Sequence, residues 1–100
     1  MRITPEQIRI ILATVGEHAG SGARVVLFGS RVHDSGRGGD IDLLIESSTP
    51  PNLRQRALIK LVLEDALQIP VDIVAKQKDA KPKPFQAIAL ITGLPLGTTP

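Results

Sequence analysis

The chain contains no cysteine, no tryptophan and no tyrosine, and only two phenylalanines. Without cysteine there is no disulfide framework, no thiolate metal site and no thiol nucleophile. That fits a reducing interior, and the expected setting is the cytoplasm. Aromatics are 2% of the residues, which argues against a base-stacking platform for single-stranded nucleic acid. The formal charge of +2 is mild beside the dense basic face of a nucleic-acid binder, so nucleic acid is not the expected partner. No apolar run approaches ~18 residues and the N-terminus has no apolar h-region, so neither a membrane span nor a signal peptide is expected.

What is present is aliphatic. Hydrophobic residues make up 42% of 100, enough for one core built from Leu, Ile, Val and Ala. The length suits a single domain over residues 1–100, near the lower end of comfortable size. Thr4-Pro5-Glu6-Gln7 is a helix start with a capping box and proline at the first position. Ile8, Ile11, Leu12 and Val15 follow at helical spacing. Residues 23–28 read as a buried strand and 40–46 as an alternating one. Residues 52–68 read as a second helix, with Leu58, Leu61, Val62 and Ala66 as its buried stripe. Residues 71–75 read as a third strand. Residues 76–84 read as a basic, solvated loop carrying Lys76, Lys78, Lys81 and Lys83. Phe85, Ile88 and Ala89 fit a short last helix closed by Gly93, and residues 97–100 are expected to be disordered. The pattern predicts a small α/β (α+β) fold with a three-stranded mixed sheet and helices mainly on one face.

The informative stretch is Val25 to Ile45, VVLFGSRVHDSGRGGDIDLLI. Asp40 and Asp42 share one strand face, ~6–7 Å apart, because strand side chains alternate with period two. At an effective dielectric of ~20, carboxylates ~5 Å apart repel by roughly 3 kcal/mol. A fold that keeps both ionised calls for a compensating cation. If the strand bearing Asp72 neighbours this one, Asp72 supplies a third carboxylate. Oxygen ligands alone favour Mg²⁺ or Mn²⁺, and the third acid could serve as a general base. Gly29-Ser30 offers backbone N–H groups to a phosphate, with Arg31 and Arg37 as candidate phosphate contacts. Each element also has a plain reading. A single acid at a strand start is ordinarily a solvated edge residue, Gly-Ser is ordinarily a helix cap, and the arginines are ordinarily surface charge. Their occurrence together and in this order favours nucleotide chemistry.

LFGSR followed by DIDLLI resembles the nucleotidyltransferase signature of the DNA polymerase β superfamily. The short length, the Gly-Gly before Asp40 and the later VDIVA strand resemble the minimal nucleotidyltransferase (MNT) group. The resemblance implies nucleotide binding by Gly29, Ser30, Arg31 and Arg37, and two Mg²⁺ ions held by Asp40, Asp42 and Asp72 as catalytic and metal-binding acids. It implies ATP or another NTP as substrate. Larger relatives carry a second, substrate-binding domain, so the acceptor is expected on a partner. In MNT/HEPN toxin–antitoxin pairs that partner is a small helical HEPN-type toxin, and the nucleotidyltransferase is an antitoxin that transfers AMP to its tyrosine. The alternative is a binding module that neutralises a toxin by occlusion, with catalysis weak or lost.

Overall fold

The computed structural model describes residues 3–32 and 39–100. Helix α1 (Pro5–Ala19) begins with the expected capping box. Thr4 Oγ1 accepts the Gln7 amide at 3.1 Å, and the Gln7 side chain accepts the Thr4 amide at 2.9 Å. Strand β1 (Arg24–Phe28) leads into a short 3-10 turn (Gly29–Val32), and β2 (Ile41–Ser47) follows. Helix α2 (Leu53–Leu67) opens with a second capping box, Asn52 with Gln55. Then come β3 (Val71–Gln77), α3 (Pro84–Thr92) and β4 (Leu94–Thr98).

The strands form one mixed sheet in the order β3-β2-β1-β4. β1 runs antiparallel to β2 and β4, whereas β2 and β3 are parallel. A parallel neighbour needs a crossover, and α2 supplies it. Alternation divides the sheet into two faces. Val25, Leu27, Ile41, Leu43, Ile45 and Val71 pack with Ile11, Val15, Ile59 and Leu63 of α1 and α2. Val26, Phe28 and Leu44 meet Ala89 of α3 on the other face. Gly93 lets α3 end directly on β1. A Cβ there would lie 2.6 Å from Val26 Cγ1 and 2.9 Å from the Leu27 carbonyl oxygen, closer than packed atoms approach.

Four expectations are corrected. The sheet has four strands, not three, because residues 94–98 pair with β1. The segment 97–100 is therefore not a frayed tail. Thr99 is buried; its hydroxyl accepts the Ala23 amide at 2.9 Å and donates to the Gly20 carbonyl at 2.8 Å. Pro95 is tolerated because β4 is an edge strand, where a missing N–H costs no ladder bond. The buried stripe of α2 is Ile59 and Leu63; Leu58, Leu61, Val62 and Ala66 are exposed. Both sets recur every four residues or nearly so, and periodicity does not choose between adjacent phases. A tertiary contact helps fix the phase: Gln55 Nε2 donates to the His18 carbonyl at 3.1 Å. Finally, β3 runs two residues past Ala75 and takes Lys76 out of the loop. Lys76 lies opposite Glu46 in register, and its ammonium reaches the Glu46 carboxylate at 3.1 Å.

The Lys76 side chain is only 4% exposed, so its charge depends on that partner. Removing one member of a buried pair leaves an uncompensated charge, whereas an apolar replacement of similar volume does not. Glu46 keeps a second cation, Arg24, at 3.6 Å. Glu46→Ala is therefore expected to cost about 3 kcal/mol, and Lys76→Met much less. Chemical denaturation of the two variants checks the asymmetry; equal losses would contradict it.

Candidate active site

The site lies where β1 ends. Phe28 pairs with Asp42 across the β1–β2 ladder, and Asp42 pairs with Asp72 across β2–β3. Paired residues share a face, so the register alone sets the two acids side by side. Ile41 and Leu43 turn into the α1–α2 core, which leaves Asp42 on the face toward α3. Asp40 stands exposed just before β2.

Gly29 follows Phe28 with φ of +80°, a left-handed conformation that L side chains rarely adopt. A Cβ there would collide with the Asp42 carboxylate. The glycine thus answers two demands: the chain must turn sharply, and the acid needs the space. Ser30 follows within the 3-10 turn. Arg31 Nη2 donates to the Gly39 carbonyl at 3.0 Å, tying the turn to the chain just ahead of Asp40. Arg37 lies outside the described residues.

The electrostatics centre on Asp42. Partial burial pushes its carboxyl above the ordinary carboxylate range, and Asp72 and Asp40 push it further. Asp72 is placed differently. It sits on the edge strand, 63% exposed, with its carboxylate 3.6 Å from Lys60 Nζ. Lys60 also bonds Glu64 at 3.2 Å and the Val71 carbonyl. Glu64 in turn accepts the Val71 amide at 2.8 Å. That backbone hydrogen bond, helped by Lys60, holds the Glu64 carboxyl below its usual range. Lys60 and Glu64 therefore clamp α2 onto the start of β3 and position Asp72. Sequence reasoning passed over both. Their spacing of four is an ordinary helix-surface pair, and only the packing of α2 against β3 gives it a task.

Among the described residues, no three acids or histidines converge into a closed metal cage. The donor set is nevertheless all carboxylate, and Asp42 carries a charge that its surroundings disfavour. Such a set fits a hard divalent cation, which binds through one or two carboxylates and takes its other ligands from water and substrate phosphates. Asp42 and Asp40 are the residues that would hold it, with Asp72 beside them.

Two predictions follow from this geometry. A carboxyl whose pKa is raised by folding destabilises the native state once ionised, and the cost vanishes as pH falls through that pKa. Asp42→Asn is therefore expected to raise the metal-free Tm at neutral pH, with the gain shrinking toward about pH 4, the ordinary carboxylate pKa. Thermal melts across pH check this; an equal or lower Tm at neutral pH would contradict it. Gly29→Ala is expected to destabilise by about 1–3 kcal/mol through its strained φ, and to displace Asp42. Denaturation of that variant measures the first effect. Loss of metal-dependent nucleotide binding reports the second.

No curated protein matches the sequence significantly. The nucleotidyltransferase domain family matches residues 8–93, a span that includes Gly29, Asp40, Asp42 and Asp72. No helix among the described residues is long and apolar enough to cross a membrane. With most of its length matched and with the acids and glycine of the site inside that match, the chain belongs to the nucleotidyltransferase domain family.

Proposed function

We propose that this domain transfers AMP from ATP to a hydroxyl on a partner protein. The partner is a helical, HEPN-type toxin, the hydroxyl that of a tyrosine, and this chain its antitoxin. The observation that carries the transferase reading is the packing of the Asp42 carboxylate against a left-handed Gly29, with Asp72 in register beside it. The nucleotidyltransferase family supports an NTP as substrate. No tyrosine stands among the 100 residues, consistent with an acceptor on another molecule.

In this reading Gly29 and Ser30 meet the triphosphate through backbone N–H groups, because no side chain at Gly29 stands in the way. Arg31 braces the turn through Gly39, and Arg37 is assigned a phosphate contact. Asp40 and Asp42 would hold two Mg²⁺ ions, which when bound would activate the attacking hydroxyl and offset the charge of the departing pyrophosphate. The partner's hydroxyl oxygen forms a bond to the α-phosphorus as the bond from that phosphorus to the pyrophosphate oxygen breaks. Asp72, oriented by Lys60, takes the hydroxyl proton.

Two measurements test this. Saturating Mg-ATP at ~100 times its dissociation constant should stabilise the protein by about 2.7 kcal/mol, more than Mg²⁺ or ATP alone. An unchanged Tm would count against nucleotide binding. Intact-mass spectrometry of the chain co-expressed with its partner should show AMP added to the partner, and none with Asp42→Ala. A partner bound but unmodified, and neutralised equally by wild type and Asp42→Ala, would replace transfer with occlusion.

A further inference from the structure

The turn that meets Asp42 also borders a cavity of about 470 Å³ between the sheet and α3. That volume falls within the ~300–1,000 Å³ of small-molecule sites. Gly29 itself is part of its wall, with Phe28, Val32, Phe85, Ile88 and Thr92. Among the described residues no charged side chain lines it, and its wall is mostly apolar. The rings of Phe28 and Phe85 meet edge to face, 5.4 Å between centroids and 81° between planes. Phe85 remains 55% exposed, which leaves aromatic surface for a flat ligand.

Thr92 is the one polar side chain among the described lining residues. Its hydroxyl hydrogen is already engaged, because Oγ1 donates to the Ile88 carbonyl at 2.7 Å. What Oγ1 still offers is a pair of acceptor sites. A ligand that satisfies this wall is neutral and planar, stacks on an aromatic ring, and carries an N–H donor. It must also connect to an anionic group at Gly29.

We infer that this cavity receives the nucleobase of the substrate nucleotide, and that Thr92 biases the choice toward bases bearing an exocyclic amine. The inference rests on the nucleotidyl-transfer reading and adds the part of the nucleotide which that reading leaves open. Gly29 is the hinge between the two halves: its backbone faces the phosphates, and the wall beyond it takes the base. The exposed apolar positions Phe85 and Ile88, unexplained by the core, then have an occupant.

Calorimetry on the full chain with Mg²⁺ separates this from the broader reading. Wild type is expected to bind ATP about tenfold or more tighter than inorganic tripolyphosphate, the margin expected of one stacked base. Ile88→Ser, at a position 62% exposed and outside the core, should lose most of that margin while binding tripolyphosphate as wild type does. ATP and purine riboside triphosphate differ by the exocyclic amine, and the latter base offers no N–H on that edge. Wild type should favour ATP by about fivefold, the worth of one neutral hydrogen bond, and Thr92→Val should bind the two alike. Equal affinity for ATP and tripolyphosphate, or full ATP affinity in Ile88→Ser, would overturn the base site and leave the phosphate site standing. Equal wild-type affinity for ATP and purine riboside triphosphate would overturn the role of Thr92. Binding of neither ATP nor tripolyphosphate would overturn the nucleotide reading and this inference with it.

Discussion

The register of the ladder from β1 through β2 to β3 is the constraint on which the rest of the structure depends. One rung, Phe28–Asp42–Asp72, carries the turn, the central acid and its neighbour. A slip of one residue in β2 would drive Asp42 into the α1–α2 core and expose Leu43 and Ile45. The aliphatic inner face forbids that slip, since Ile41, Leu43 and Ile45 are completely buried. The hydrophobic core thus does more than hold the domain together. It fixes the placement of charges that, by themselves, repel.

That repulsion is concentrated rather than shared. Asp42 is the partly buried member, and its carboxyl is displaced by burial and by both neighbouring acids. Asp72 has Lys60, and Glu64 has Lys60 and the Val71 amide. The crossover helix α2 accordingly has two separate roles. Ile59 and Leu63 seal the core, while Lys60 and Glu64, one turn of residues interleaved with them, grip the edge strand. Energy that a folded domain would ordinarily shed is retained at one carboxylate. Such a position is suited to a ligand that brings positive charge.

Features encoded over a few residues were legible in the sequence. Both long helices, the placement of Asp42 on the face away from the α1–α2 core and the turn at Gly29 rest on capping, alternation and glycine chemistry, all local; Asp40, expected on the same strand, lies just ahead of it. The family resemblance agreed with the domain match at the level of the nucleotidyltransferase superfamily. Features that depend on distant partners were not legible. Pro95 and Gly97 disguise β4, whose pairing with β1 and whose anchor at Thr99 come from across the chain. The phase of α2 needed its contact with His18. Lys76 reads as one of four loop lysines until its register with Glu46 is known. Lys60 and Glu64 are an unremarkable surface pair until β3 lies beneath them.

The grip of α2 on β3 has a consequence for how this domain can be approached. β3 is an edge strand, and an open edge is a template on which another chain can pair. Here the Val71 amide and carbonyl are taken by Glu64 and Lys60, and Gln86 reaches the Ala75 carbonyl at 3.4 Å. Side chains from two helices therefore stand in for a neighbouring strand along part of this border. A protein arriving beside Asp72 cannot extend the sheet there without displacing them. Recognition on that flank is left to side-chain complementarity, which can discriminate between partners in a way that backbone pairing cannot.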